Sequence, residues 1–322
     1  MNLLKRKSVI ILILLSLLLT SCSVDSKSEE SGKLRVGIIQ LTQHPALDDA
    51  RVGFEEEIKD LDVEIIYQNA QGNIPNITTI AQKMVRDKVD LIFAISTPVA
   101  QSLKNIDTDI PVIFTAITDP VSSEIVDSFE KPNTNFSGTS DEAPIKEQFE
   151  LLINIKEDIK DIGVIYNTSE LNSKVQVEQI QAVCDELGLS LQTMGVNNIN
   201  EIPKACDSLM KKVDAIYTPT DNMIASSIQV ISQKAINNNI LTLGAEKAHV
   251  DGGILFTKGI NYKDLGSQSA NMAKEILVNG KDISSLPVEK SKNIQTVINK
   301  NTLEKLNLDI DLSFDENILI ID

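Results

Sequence analysis

From residue 33 onward, short apolar runs rich in β-branched residues alternate with longer stretches in which apolar positions return every three or four residues. The short runs are typical of strands and the longer stretches of amphipathic helices, the first of them at residues 46–60. Because the runs are almost continuously apolar, they favour parallel strands covered by helices on both faces. The predicted strands are residues 34–41, 63–68, 90–96, 111–117 and 135–140, followed by 161–167, 189–194, 214–220, 240–245 and 252–258.

The alternation starts again after residue 140, which indicates two similar halves. Each half has enough strands for an open doubly wound sheet. We therefore predict an α/β protein with two doubly wound parallel-sheet lobes, joined by a hinge near residues 138–142. Helices are predicted at residues 144–157, 175–187, 202–212, 223–237 and 262–278.

The chain after residue 258 is too short for a third domain and is expected to cross back between the lobes. It contains the last long helix, a strand at 294–298 and a small helix at 301–306. The prediction gives residues 33–140 and about 258–285 to the first lobe. Residues 141–257 and about 286–322 form the second lobe.

The first 32 residues have a different pattern. A basic run at Lys5, Arg6 and Lys7 precedes an apolar stretch that is shorter than the ~20 residues of a spanning helix. Small residues then lead to Cys22, as in the bacterial lipobox, where the cysteine is acylated and becomes the new N-terminus. We predict a signal peptide at residues 1–21, a lipid on Cys22 and a flexible tether at 22–32. The alternative is an ordinary cleaved signal beside a coincidental cysteine.

The overall charge and the scarcity of metal-binding residues narrow the possible partners. A formal net charge of −16 disfavours nucleic acid, because phosphate backbones are repelled. Only two histidines are present, and the two cysteines after Cys22 do not have the spacing of a metal site. We expect no metal and no cofactor. Cys184 and Cys206 are interpreted as buried thiols, with a disulfide as the alternative.

Polar residues follow several predicted strands, where ligands bind in open parallel sheets. Ser96 and Thr97 follow the third strand, Thr118 follows the fourth, and Asp221 and Asn222 follow a strand of the second lobe. Any one of these sets could serve only as a helix cap. Together they would line one edge of a cleft, where hydroxyls beside a helix N-terminus suit a carboxylate.

An ammonium group would suit the acidic residues near these strand ends. Asp141 and Asp221 are the candidates, because a desolvated carboxylate forms strong charge-assisted hydrogen bonds with such a group. A free amino acid carries both a carboxylate and an ammonium group.

Catalysis finds little support in the sequence. No nucleophile elbow, phosphate-binding glycine loop or metal-ligand spacing is present. His44 is interpreted as a hydrogen-bonded loop residue rather than a base. Tyr166 has two open interpretations, stacking on a ligand or covering the core. We therefore do not expect an enzyme.

Several separated motifs resemble the substrate-binding lipoproteins of ABC transporters associated with tryptophan and tyrosine uptake. The resemblance covers essentially residues 34–308 and depends on the order and spacing of the motifs rather than on any one of them. The motifs are Gln40 with His44 and Pro45; Ser96 to Gln101 (STPVAQ); Thr118 to Val121 (TDPV); Gly138 to Asp141 (GTSD); Tyr166 to Glu170 (YNTSE) with Asn172 and Ser173; and Pro219 to Asn222 (PTDN).

The resemblance implies a type I periplasmic-binding-protein fold, with three crossovers between the lobes and an aromatic amino acid in the interlobe cleft. It also implies roles for individual residues, with Gln40 in the same site. Ser96, Thr97 and the amides of Val99 and Ala100 would hold the carboxylate. Asp141 and Asp221 would meet the amine, and the remaining pocket would be shaped by Thr118, Tyr166, Asn222 and Glu246.

These expectations describe a monomeric, lipid-anchored protein on the extracytoplasmic side of the membrane that delivers a small solute to an ABC permease. A sugar or another polar solute is an alternative ligand, although only 4% of the residues are aromatic and sugar sites usually need aromatic plates. A receptor that reports ligand to a membrane signalling protein is a second alternative. A transcriptional regulator of this architecture would have an N-terminal DNA-binding helix-turn-helix where this chain has an export signal.

Overall fold

The computed structural model describes residues 33–106, 108–310 and 317–322. The predicted signal peptide, the lipidation site at Cys22 and the tether lie outside the described residues. Among the described residues, no helix has both the length and the apolar character needed to span a membrane.

Strands alternate with helices along the described chain. The strands are β1 Leu34–Gln40, β2 Val63–Asn69, β3 Leu91–Ile95, β4 Val112–Ile117, β5 Phe136–Ser140, β6 Asp161–Asn167, β7 Ser190–Val196, β8 Ala215–Thr218, β9 Leu241–Gly244, β10 Phe256–Ile260, β11 Glu289–Lys290, β12 Ile294–Asn299 and β13 Leu319–Ile321. The helices are α1 Pro45–Ile58, α2 Ile74–Arg86, α3 Thr97–Lys104, α4 Ile145–Ile155, α5 Leu171–Leu187, α6 Ile202–Leu209, α7 Asn222–Ser226, α8 Ile228–Asn237, α9 Lys247–Asp251, α10 Tyr262–Leu277 and α11 Lys300–Lys305. Short 3₁₀ turns lie at Ile199–Glu201 and Ile283–Ser285.

The strands form two sheets, and we call the part built on each sheet a lobe. The first lobe has the strand order β11-β5-β4-β3-β1-β2, and the second has β13-β12-β10-β9-β8-β6-β7. Pairing is parallel except between β10 and β12, which run antiparallel. The predicted α/β class with two parallel sheets is confirmed. The residue ranges proposed for two lobes that move about a hinge stay a prediction.

The chain passes from one sheet to the other after β5, after β10 and after β11, so three connections join the lobes. After β10, α10 returns to pack on α1 of the first lobe. Glycines allow this close contact, since a Cβ on Gly266 would lie 1.9 Å from the Ala50 carbonyl oxygen. The ion pair between Lys274 and Glu57, at 2.6 Å, joins the same two helices.

Each sheet buries its apolar residues beneath its helices. In the first lobe, Phe54 of α1 stacks on Phe93 of β3 with ring centroids 3.9 Å apart. In the second lobe, Cys184 and Cys206 are free, buried thiols in separate clusters on opposite faces of the sheet. Burial raises the pKa of both thiols to about 11. The interpretation of these cysteines as buried thiols agrees with the structure.

Two predicted elements have different bounds in the structure. The strand predicted at residues 252–258 begins only at Phe256, because Gly252 and Gly253 form the turn after α9 and Gly253 has φ +101°. The helix predicted at 223–237 is divided into α7 and α8, because Ser227 leaves the helical conformation at φ −114° and ψ 11°.

Candidate functional site

The carboxyl ends of the two sheets face each other across a narrow cleft, in which the space open to a water-sized molecule is only about 10 Å³. Strand ends, helix N-termini and the start of α10 supply its lining, so residues distant in sequence meet there. The lining residues are His44, Leu47, Ala116, Asp141, Asn172, Thr220, Asp221, Asn222, Ala225, Glu246 and Tyr262.

A bulge in β4 shapes the first-lobe side of the cleft. The register with β5 shifts between Phe114 and Ile117, and Ala116 takes a left-handed φ of 56°. The neighbouring position on β5 must be Gly138, since a Cβ there would lie 2.0 Å from the Phe114 carbonyl oxygen. This close approach accompanies the position of Ala116 in the cleft wall, and Asp141, the residue directly after β5, lies in the same lining.

Ser96 has a backbone conformation that is unusual for a residue with a side chain. At φ 102° and ψ 155° it lies in a region used almost only by glycine, which costs about 1–3 kcal/mol. It precedes α3 as the N-cap residue, but its side chain makes no capping bond. The buried hydroxyls of Ser96 and Thr97 have no hydrogen-bond partner. Two unpaired hydroxyls at the N-terminus of an eight-residue helix are suited to an anion.

Asp141 has one carboxylate oxygen in use and one that is free. Its Oδ2 accepts a hydrogen bond from the Tyr262 hydroxyl, and its buried Oδ1 has no partner. Loss of solvent raises the pKa of Asp141 from 3.8 to about 6, although the bond from Tyr262 acts in the opposite direction. An unpaired buried carboxylate oxygen favours a positively charged donor.

Asn172, at the start of α5, provides a second unpaired acceptor. Its side-chain nitrogen donates to the carbonyl oxygen of Thr220 at 3.0 Å, while its buried Oδ1 has no partner. Helix α5 approaches α3 across the cleft. The unpaired oxygen of Asn172 therefore lies on the helix that faces the one carrying Ser96 and Thr97.

Asp221 differs from Asp141 because the protein itself supplies its hydrogen-bond donors. Its Oδ1 caps α7 by accepting from the amides of Met223 and Ile224, and its Oδ2 accepts from the amide of Asn167 at 2.6 Å. Burial raises the pKa of Asp221, and these backbone bonds oppose the rise. Asp221 lines the cleft, but its oxygens hold the ends of β6 and α7 in place.

Side-chain hydrogen bonds between described residues connect the lobes across the cleft. The Thr118 and Thr220 hydroxyls lie 3.0 Å apart, and His44 Nε2 lies 3.3 Å from Asn222 Oδ1. Asn222 also donates through Nδ2 to Glu170 at 2.5 Å. Burial lowers the pKa of His44, whereas burial and the nearby Asp221 raise the pKa of Glu170 to about 7.

Glu246 and Tyr262 line the cleft, and His249 lies beside Glu246. Glu246 Oε1 lies 3.1 Å from His249 Nε2, and all three side chains are buried. Burial opposes ionisation of Glu246, but His249, His44 and the Tyr262 hydroxyl together lower its pKa. Glu246 is therefore an anion within the lining.

The other residues singled out from the sequence lie outside the cleft lining. Gln40 is occupied inside the first lobe, with bonds to Thr42 and Asp48 at 2.8 Å and one from Tyr67. Tyr166 packs on the second-lobe core with its hydroxyl end beside Gly195, and this contact fits the core-covering interpretation.

Val99 and Ala100 are fully buried in α3. The Ala100 amide donates to the Ser96 carbonyl oxygen at 3.2 Å as the first bond of the helix. The ligand-binding roles implied for these residues stay predictions.

Seven of the described residues that line the cleft were not predicted as site residues: His44, Leu47, Ala116, Asn172, Thr220, Ala225 and Tyr262. Asn172 and Thr220 belong to the family motifs and follow strand ends, so their position in the sequence was the signal that could have identified them as site residues. Tyr262 follows β10 in the same way. Leu47 lies one turn after His44 and reads in the sequence as an ordinary core position.

The charge of the lining is one-sided. Asp141, Asp221 and Glu246 contribute carboxylates, and none of the described residues that line the cleft is Lys or Arg. Ser96, Thr97 and Thr118 are not among the residues that line the cleft, although Ser96 and Thr97 follow the carboxyl end of β3 in the same sheet and have unpaired hydroxyls. The arrangement therefore suits a small molecule with a positive group and a separate anionic group.

Two parallel sheets joined by three crossovers, with a polar cleft between them, define a type I periplasmic-binding-protein fold. Residues 35–320 match the family model of ABC transporter substrate binding proteins, and the chain belongs to that family. Members of this family are extracytoplasmic binding proteins that work with ABC transporters, and they are not enzymes.

Similar proteins include a tyrosine-binding protein from Clostridioides difficile, 39% identical over 94% of this chain and 93% of that protein. A complex with L-Trp from Streptococcus pneumonia is 32% identical, covers 90% of this chain and 100% of the other, and has a TM-score of 0.85. A ligand-free, open substrate binding protein with adhesive properties from Clostridium difficile is 40% identical. It covers 90% of this chain and 99% of the other, with a TM-score of 0.70.

Among these similar structures, a higher sequence identity to this chain does not go with a higher TM-score. The L-Trp complex superposes better than the open structure, even though the open structure is the more identical in sequence. The lower TM-score against the open structure is consistent with a different arrangement of the lobes. The hydrogen bonds between Thr118 and Thr220 and between His44 and Asn222 are consistent with a closed cleft.

Proposed function

We propose that this protein binds an aromatic amino acid, such as tyrosine or tryptophan, in the closed cleft and delivers it to an ABC permease. The observation that carries the proposal is the set of buried, unpaired polar atoms: Ser96 Oγ, Thr97 Oγ1, Asp141 Oδ1 and Asn172 Oδ1. Leaving such atoms without partners costs about 1–3 kcal/mol each, so a ligand that pairs with them is stabilised. The names of the tyrosine-binding relative and the L-Trp complex support the aromatic class.

The carboxylate of the amino acid is assigned to the α3 end of the cleft. The Ser96 and Thr97 hydroxyls donate to it, and the N-terminus of α3 adds a favourable dipole. Val99 is the amide assigned to the same group, because the Ala100 amide already bonds Ser96.

The ammonium group is assigned to Asp141 and Asn172, whose free oxygens are acceptors. Asp141 is preferred to Asp221 because the protein's own amides already occupy Asp221. Glu246 contributes negative charge from the lining of the cleft.

A thermal-shift screen of the twenty amino acids tests this function. The protein is first unfolded and refolded to remove co-purified ligand, and hits are then measured by isothermal titration calorimetry. A ligand at a hundred times its Kd stabilises the protein by about 2.7 kcal/mol, a shift of several degrees. A shift with tyrosine or tryptophan is expected, whereas a shift with a sugar and with no amino acid would refute the proposed ligand class.

We further propose that the protein is a monomer anchored by a lipid on Cys22. The basic run, the short apolar stretch and the small residues before Cys22 support this proposal. Mass spectrometry of the membrane-extracted protein should show a diacylated N-terminal cysteine. A soluble product cleaved at another position would refute the anchor without affecting the ligand proposal.

Transport is tested separately from binding. Deletion of the gene should abolish uptake of the ligand identified by calorimetry, and Asp141→Asn should reduce uptake in proportion to its loss of affinity. Normal uptake with altered transcription or kinase signalling would instead favour a sensory receptor.

A further inference from the structure

His44 is a cleft residue that the roles proposed above do not use. Its side chain is 7% exposed and lines the cleft as the N-cap residue of α1. Its Nε2 faces Asn222 of the other lobe, whereas its buried Nδ1 has no partner. A ring nitrogen without a partner in a ligand cleft is a candidate ligand contact.

A chain of hydrogen bonds determines what this nitrogen can do. The Asn222 amide donates through Nδ2 to Glu170, so its Oδ1 is the acceptor that faces His44. Glu170 is itself held by the side chain of Asn167, whose Oδ1 accepts from the Ser169 amide. His44 must therefore carry its proton on Nε2, and in a neutral imidazole Nδ1 is then a bare acceptor.

The cleft lining near His44 contains apolar residues as well as Glu246, whose charge opposes the lowering of the His44 pKa by burial. Leu47 lies one turn beyond His44 in α1, and Ala225 lies one turn beyond Asn222 in α7. Leu47 and Ala225 are both apolar residues of the cleft lining. The unpaired groups assigned to the carboxylate and ammonium lie instead on α3, α5 and the segment after β5. The α1–α7 end is therefore the part of the cleft suited to a ring.

We propose that Nδ1 of His44 accepts a hydrogen bond from the ring donor of the ligand, a phenol O–H or an indole N–H, and so selects tyrosine or tryptophan over phenylalanine. The inference depends on the proposed binding of an aromatic amino acid. A ligand without the donor leaves Nδ1 buried and unpaired. A site built to bond a ligand N–H or O–H discriminates strongly against the analogue that lacks it.

The test compares matched ligand pairs that differ only in the ring donor. Tyrosine is paired with phenylalanine, and tryptophan with 3-benzothienylalanine, in which sulfur replaces the indole N–H. Calorimetry is done at pH 8, because protonation of Glu170 would allow the Asn222 amide to turn over. In the wild-type protein we expect the donor-bearing member of at least one pair to bind about tenfold tighter or more.

His44→Leu removes the acceptor, and the ratio of affinities within the pair should fall to about two or less. Thr118→Val is the matched control, since it removes a different bond between the lobes and leaves the ring acceptor in place. It should weaken both members of a pair equally. If His44→Leu unfolds, His44→Gln keeps an amide donor and an acceptor and should preserve part of the discrimination.

The outcomes separate this inference from the proposed function. The role of His44 is overturned if wild-type protein binds both members of each pair equally. It is also overturned if His44→Leu keeps the wild-type ratio of affinities within a pair. Either result leaves the proposal of an aromatic ligand intact. If His44→Leu weakens the binding of both members equally, Nδ1 contacts the ammonium group rather than the ring, and the inference is again overturned. If no aromatic amino acid binds wild-type protein, both proposals fail.

The tautomer provides an independent measurement. The protein has only two histidines, so the ring ¹⁵N signals that disappear in His44→Leu belong to His44. Those signals should show a proton on Nε2 and an unprotonated Nδ1, with Nδ1 shifted when the ring donor binds. A proton on Nδ1 of the free protein would contradict the inference.

Discussion

Replacing Asp141 by Asn tests the electrostatics of the cleft most directly. The change is isosteric and keeps an oxygen to accept from Tyr262, but it removes the negative charge. Loss of solvent raises the pKa of this carboxyl to about 6. The substitution should therefore act in opposite directions on ligand affinity and on the stability of the free, closed protein.

The stability effect follows from linkage. A carboxyl whose pKa is raised from 3.8 to about 6 by folding binds its proton more tightly in the folded state. Its favourable contribution is complete below about pH 4 and is lost as the pH rises to about 6. At pH 7 the ionised group costs roughly 3 kcal/mol in the closed state. Asp141→Asn should recover part of this cost, reduced by the unpaired amide N–H that it introduces.

The affinity effect has the opposite sign. A hydrogen bond to a charged group contributes about 1.5–3 kcal/mol, so its loss should raise Kd roughly ten- to hundredfold. Asp221→Asn is the matched control, because Asp221 caps α7 and bonds the Asn167 amide instead of a ligand. It should lower stability by about 1–2 kcal/mol with a much smaller effect on Kd.

Urea unfolding without ligand and calorimetry with the ligand at pH 7.5 measure the two effects. The expected pattern is a more stable Asp141→Asn with weak binding, and a less stable Asp221→Asn with nearly normal binding. If Asp141→Asn binds within twofold of wild type, the ammonium group does not meet Asp141. If Asp221→Asn instead shows the large loss of affinity, the two assignments must be exchanged.

Other predictions concern the pH dependence of binding, the strained serine, the helix contact and the thiols. Because ionised Asp141 is the form that binds ligand, the affinity should fall by up to tenfold per pH unit below about pH 6. Calorimetry in buffers of different ionisation enthalpy should detect the proton that Asp141 releases on binding. An affinity that does not change between pH 4.5 and 7 would contradict this prediction. Ser96→Gly should stabilise the protein by about 1 kcal/mol in urea unfolding while weakening ligand binding several-fold, because it relieves φ 102° and removes the hydroxyl; unchanged stability would show that the strain is absent. Gly266→Ala should destabilise the protein by about 1–3 kcal/mol, since its Cβ would lie 1.9 Å from a carbonyl oxygen of α1, and a neutral result would refute the close contact. Cys184 and Cys206 should react with a thiol reagent only after unfolding, and rapid labelling of the folded protein would show that they are accessible.

The sheets were predictable because their signal is local. Apolar runs and turn residues identify strands, and the restart after residue 140 separates two halves. The carboxyl-end rule pointed to Asp141, Asp221 and Asn222 and the family resemblance added Glu246, and all four line the cleft. The same rule also pointed to Ser96, Thr97 and Thr118, which are not in the lining. The antiparallel pairing of β12 and the bulge in β4 depend on contacts between distant segments and have no comparable local signal.

The distinct situations of the two aspartates could not be read from the sequence. Asp141 and Asp221 both follow strand ends and look alike as ammonium partners. The difference arises because the Asn167 amide, from a strand more than fifty residues earlier in the chain, occupies Asp221, whereas Oδ1 of Asp141 has no partner among the described residues. Hydrogen-bond saturation is a property of the assembled site, so it separates residues that sequence position treats as equivalent.

These features together explain how ligand could control closure. In an open cleft, water would solvate Asp141, Ser96, Thr97 and Asn172, but in the closed cleft their oxygens are buried without partners. Loss of solvent raises the pKa of Asp141, so its ionised form disfavours closure of the empty cleft. A ligand that supplies both an ammonium group and a carboxylate removes this penalty only when both lobes surround it. Its differential affinity for the closed state is therefore what shifts the population, and a permease that recognises the closed lobes would respond to the loaded protein rather than to the empty one.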